Sequence, residues 1–118
     1  NTEITNSKLE KNTFTDITFE NCNFSNTSFE NSIFIRCEFI NCKMTGCNFI
    51  EARLYNVSFE ETNINYANLS TTSMENVIFK NIDKITRQTF VYVNKRKRSN
   101  KTINAFVQLL KSTVNDDN

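Results

Sequence analysis

The chain has 118 residues, 38% apolar and 23% charged, with a net charge of +1, no His, no Pro and a single Gly. That length holds one domain, or one domain with an appendage. The lack of His removes the commonest general base and a principal zinc ligand, and the near-absence of Gly and Pro excludes an ordinary antiparallel β-protein, whose turns rest on those residues. No apolar run reaches membrane-span length and no signal-peptide pattern is present. Opening on Asn1, the sequence reads as trimmed or excised from something longer.

From the start, every fifth residue is large and apolar: Ile4, Leu9, Phe14, Phe19, Phe24, Phe29, Phe34, Phe39, Met44, Phe49, Leu54, Phe59, Ile64, Leu69, Met74 and Phe79. At the chain's apolar frequency such a run has a chance on the order of 10⁻⁷, so it is a repeat. A period of five fits neither a straight helix nor a flat strand. On a helix the column would wander around the cylinder, and in a strand it would alternate between faces. The conflict disappears if the chain bends inward once per unit. Two residues before each column position stands a small or β-branched residue, never a charged one (Ile17, Cys22, Thr27, Ser32, Cys37 and so on). Both slots therefore point inward and the other three point outward. Asn recurs two residues after the column, as at Asn21, Asn26, Asn31 and Asn41, where it tolerates left-handed geometry.

Cys22-Asn23-Phe24-Ser25-Asn26, Cys47-Asn48-Phe49-Ile50-Glu51 and Ala67-Asn68-Leu69-Ser70-Thr71 resemble the unit of the pentapeptide-repeat family. The resemblance covers residues 2–81 and implies an all-β, right-handed quadrilateral β-helix with four repeats per coil, hence about four coils. It makes 1–82 the β-helix and 83–118 a C-terminal segment. Stacking residues one coil apart sets Phe19, Phe39, Phe59 and Phe79 in one unbroken Phe column. Such an interior leaves no room for a ligand.

The four cysteines, Cys22, Cys37, Cys42 and Cys47, all occupy the small inward slot. Their spacing is that of the repeat, not of a metal site, so they are expected as free, packed thiols in a reducing cytoplasm. Several Asn-X-Ser/Thr sequons, such as Asn26-Thr27-Ser28 and Asn56-Val57-Ser58, arise by composition alone.

The repeat fails at Lys84. Asp83 to Val93 reads as either helix or strand. Lys95-Arg96-Lys97-Arg98-Ser99-Asn100-Lys101 is a basic linker, expected as a solvated connector. Thr102 to Val114 reads as an amphipathic helix with Ile103, Phe106, Val107 and Leu110 on one stripe. Solenoid ends need covering, so this stripe is expected either to cap the last coil or to make a dimer contact at a solenoid end.

No catalytic constellation is legible, and no cofactor or metal is expected. The carboxylates lie on flat walls, and no serine has a base partner or elbow glycines. The expected role is a non-catalytic interaction or structural module that binds another protein, with neither nucleic acid nor membrane as partner. Its candidate surface is the outward apolar set Ile33, Ile35, Ile40, Ile50 and Tyr55, with Tyr66 and Ile78 also outward. Against it stands the reading that scattered surface apolars are ordinary. The resemblance offers an alternative, a DNA mimic that binds DNA gyrase or topoisomerase as quinolone-resistance members do. That role needs acidic columns, whereas residues 1–81 carry ten acidic and six basic side chains that do not align.

Overall fold

The computed structural model describes residues 2–82. Eight strands stand in chain order: β1 Thr2–Glu3, β2 Thr13–Thr15, β3 Thr18–Glu20, β4 Cys22–Asn23, β5 Ile33–Ile35, β6 Glu38–Ile40, β7 Arg53–Glu60 and β8 Ser73–Lys80. Every pairing is parallel and joins residues one coil apart, as Phe14↔Phe34↔Leu54↔Met74 and Phe19↔Phe39↔Phe59↔Phe79. Isolated bridges run along the other two sides, Lys8↔Ser28↔Asn48↔Asn68 and Asn23↔Lys43↔Asn63. The chain thus winds as a four-sided β-solenoid of four coils, with the inward bend that the period of five demands and the four repeats per coil that the resemblance implies. We number the faces by their columns in the order Ile4, Leu9, Phe14 and Phe19. The expected C-terminal helix and its stripe Ile103, Phe106, Val107 and Leu110 lie outside the described residues.

The bend once per repeat has a definite backbone origin. All sixteen residues two beyond the column, from Asn6 (φ 52°) through Gly46 (φ 73°) to Asn81 (φ 50°), are left-handed. Asn fills half of these corners because its short side chain suffers least there. Two corner columns add side-chain ladders, with Asn41 Nδ2 donating to Asn21 Oδ1 and Asn76 Nδ2 to Asn56 Oδ1, each at 2.6 Å.

The four faces are of two kinds. On the first and second, the column carbonyl accepts from the N–H three residues on, as from Thr27 to Phe24 (3.0 Å) and Cys47 to Met44 (3.2 Å). With a left-handed residue third, these fit type II turns. The Oδ1 of Asn23, Asn48, Asn63 and Asn68 fixes them by accepting from the N–H two residues on, at 2.9–3.0 Å. On the third and fourth faces the chain stays extended, and β7 and β8 run through their corners at Asn56 and Asn76.

The interior is a stack of rings and small residues. Successive Phe rings of the fourth column lie 4.8, 5.0 and 5.3 Å apart with planes within 11°. Neighbouring columns meet edge-on, as Phe24 and Phe29 do at 5.5 Å and 73°. Phe34, Phe39, Cys37, Cys47, Ala52 and Leu54 are wholly buried.

Candidate interaction surface

The solenoid places the five candidate residues on three faces. Ile33 and Ile35 flank buried Phe34 on β5 and both project from the third face, about 6.7 Å apart along the strand. Ile35 is in register with Tyr55 and Ile33 with Arg53, so the four side chains form a square one coil high. Ile40 stands on the fourth face between Glu20 and Glu60. Ile50 stands on the second face, one coil beyond Glu30. The structure therefore unites Ile33, Ile35 and Tyr55 and leaves Ile40 and Ile50 apart.

All five are half-buried by their coil neighbours rather than fully exposed. Among the described residues, the large apolar side chains most open to solvent are Tyr66 (54%) and Ile78 (46%). Arg53 completes the square and is exposed. Reading for apolar residues alone overlooks it, although its position one coil beyond Ile33 marks it. Tyr and Arg together offer broad contact area and planar hydrogen bonding, the combination enriched in binding hot spots.

The edge of this square is electrostatically fixed. At the corner between the third and fourth faces, Arg36 Nε donates to Asp16 Oδ1 (2.6 Å) and Arg36 Nη2 to Asp16 Oδ2 (3.0 Å). These bonds hold the Asp16 carboxyl below its ordinary range and push Arg36 higher. It is the one ion pair among the described residues. Both partners are exposed, so its worth lies in orienting Arg36 rather than in stability.

A second set of side chains escaped sequence reasoning. The sequence pattern marks the inward slot as a packing position, yet its polar members are donors. Ser32 Oγ donates to the Leu9 carbonyl (2.8 Å), Thr62 Oγ1 to Phe39 (3.2 Å) and Thr72 Oγ1 to Phe49 (2.6 Å). Cys37, Cys42 and Cys47 donate likewise through Sγ to Phe14, Phe19 and Phe24, at 3.0–3.3 Å. Ser, Thr and Cys interchange there because each is small and carries one donor. All four thiols are free. Burial pushes the Cys42 thiol up, and pushes that of Cys47 up to about 12.

Depressions follow the corners. One of about 300 Å³ is lined by Arg36, Glu38, Asn56, Ser58, Asn76 and Ile78, and another of about 830 Å³ includes Glu20, Ile40, Cys42, Lys43 and Glu61. Among the described residues no group of three or more His, Cys, Asp or Glu side chains is placed to hold a metal ion, and no helix is long and apolar enough to cross a membrane.

This geometry defines the class: a stack of five-residue units closing into square coils. The pentapeptide repeat region family matches residues 12–86, and the chain belongs to that family. Among solved structures, it is similar to a pentapeptide repeat protein from the Arabidopsis thaliana thylakoid lumen, with TM-score 0.63 and 12% identity over 80% of this chain. The alignment takes in 58% of that protein, so the chain spans under two thirds of its length. A pentapeptide repeat protein from the cyanobacterium Cyanothece 51142 aligns with TM-score 0.37 and 13% identity, over 73% of this chain and 88% of the other. QnrB1, a plasmid-mediated fluoroquinolone resistance protein, aligns with TM-score 0.24 and 17% identity, over 71% of this chain and 70% of its own. No curated protein matches the chain.

Proposed function

We propose that this protein is a non-catalytic binding module that engages another protein through the third face of its solenoid. The observation that carries this reading is the square of Ile33, Ile35, Arg53 and Tyr55 on a rigid parallel wall. Each of these side chains is set by a buried neighbour in its own strand, Phe34 or Leu54. The wall is therefore ordered before binding, which lowers the entropic cost of association. The unpaired thiols support a reducing compartment such as the cytoplasm.

The DNA-mimic alternative requires a continuous acidic column. The pairing on the fourth face interrupts it, with Ile40 between Glu20 and Glu60 and Lys80 after Glu60. That register favours the protein-binding reading.

The test is affinity capture from the source cells with quantitative mass spectrometry, using wild type, Tyr55→Ala, Arg53→Ala and the first-face control Lys43→Ala. A partner retained by wild type and the control but lost by the third-face variants, at matched thermal stability, supports the reading. A partner held equally by all four would remove this face from consideration.

A further inference from the structure

We infer that Cys22 and Cys42 form a two-sulfur site for a soft monovalent cation, of which Cu(I) is the physiological example. In sequence the two are one coil apart, so in space they are one rung apart. The pairing of Asn23 with Lys43 and the bond from Lys43 N–H to the Cys22 carbonyl (2.9 Å) fix that register. Both lie within the stack. Thr2 is in register with Cys22 on one side, and Thr62 Oγ1 accepts from Cys42 N–H (3.2 Å) on the other.

The two side chains share one orientation. Each Sγ lies 3.5 Å from the carbonyl oxygen two residues before it, that of Glu20 for Cys22 and of Ile40 for Cys42. Equal orientation on successive rungs sets the sulfurs about 4.8 Å apart. The rings of Phe19 and Phe39 on the adjoining face repeat at 4.8 Å in the same way. Contact between the two residues also shows in the ionisation of Cys42. Burial pushes its thiol up, the Cys22 backbone pulls it down, and the Cys22 thiol pushes it up again.

That spacing selects the ligand. A disulfide needs sulfurs about 2.0 Å apart, far closer than parallel neighbours stand. A metal–thiolate bond is about 2.3 Å, so a cation held in line between two sulfurs needs them about 4.6 Å apart. Zinc takes four ligands in a tetrahedron, and among the described residues no third Cys, Asp or Glu joins the pair. Thiolates select soft ions, and Cu(I) is the one satisfied by two of them in line. Binding forms two S–Cu bonds and releases both thiol protons to solvent, with no change of oxidation state. The resulting complex carries one negative charge, and the Lys43 ammonium stands beside it.

A groove leads to the pair along the corner between the fourth and first faces. Two depressions there, of about 750 and 830 Å³, share Asn21, Asn41, Cys42 and Lys43 in their walls, and Cys22 lines the first.

Anaerobic titration of the full chain with Cu(I), in competition with a chromophoric Cu(I) chelator, tests this. The expected result is one Cu(I) per chain, held more tightly as pH rises because both thiols must lose their protons. Cys22→Ser and Cys42→Ser should each weaken binding about a hundredfold or more, roughly 2.8 kcal/mol. Serine fits the slot, since Ser32 fills an equivalent one fully buried. Cys37→Ser and Cys47→Ser, in other inward columns, should bind as the wild type does. A wild type that binds no Cu(I), binding unchanged in Cys22→Ser or Cys42→Ser, or an equal loss in all four variants would each overturn the inference.

Discussion

The ring of Phe39 lies over that of Phe59 with centroids 5.0 Å apart and planes 6° from parallel. Phe39 also stacks on Phe19 at 4.8 Å and meets Phe24 edge-on at 6.4 Å. It is fully buried. Phe39→Ala should therefore cost about 3–5 kcal/mol, through lost burial and an unfilled void between coils. Glu60→Ala, one position away on the outer wall, should cost under about 0.5 kcal/mol. Urea midpoints measure both, and equal shifts would contradict the coil assignment.

The corners carry a different kind of energy. Tyr66 is left-handed (φ 62°), and its side chain is 54% exposed. A residue with a bulky Cβ substituent is strained in that region, and asparagine less so. Tyr66→Asn should raise stability by about 0.5–1 kcal/mol. Asn41→Val should lower it by about 1–2 kcal/mol, because a β-branched residue would occupy φ 52° and the amide bond to Asn21 would be lost. Opposite signs in paired denaturation curves are the expected result.

The inward bend was legible because one column, Ile4 to Phe79, repeats without a break, and the four-sided coil followed from the resemblance of its units to the pentapeptide-repeat family. The corner asparagines were legible for the same reason, since a bend every five residues demands left-handed geometry. The division into turn faces and strand faces was not read, although its signal was present. Asn23, Asn48, Asn63 and Asn68 precede turn-face columns, whereas Thr13, Thr18 and Ile33 precede strand-face ones. The candidate surface was legible in part. Counting in coils places Ile35 by Tyr55, but a search for apolar residues passes over Arg53. The hydrogen bonds of the inward slot could not be read, because Ser, Thr and Cys there look like small fillers until the carbonyl of the preceding coil is seen.

Thiol chemistry tests the packing of the cysteines. Cys22 and Cys42 are neighbours in one stack, about one rung apart, yet all four thiols are free. Titration of the denatured, unreduced protein should find four thiols, and finding two would mean a bridge between coils. In the native protein an alkylating reagent should label half-buried Cys22 first and Cys37 and Cys47 last, since both are fully buried. Peptide mapping over a time course reads the order.

The Cys47 thiol also sets a pH dependence. Its Sγ donates to the Phe24 carbonyl at 3.0 Å, and burial pushes it from its ordinary value of 9.0 up to about 12. The folded state then holds this proton more tightly than the unfolded state does. The resulting stability is fully present below the unfolded value and is lost as pH rises towards the folded one. Within that window each such group removes at most about 1.4 kcal/mol per pH unit. Cys47→Ser keeps a donor for the Phe24 carbonyl but does not ionise in this range. Between about pH 8 and about pH 10.5 the urea midpoint of the wild type should fall further than that of Cys47→Ser. Parallel declines would show that the thiol is not held protonated by the core. The buried hydroxyl should also serve better than Cys47→Ala at neutral pH, because alanine leaves the Phe24 carbonyl without this donor inside the stack.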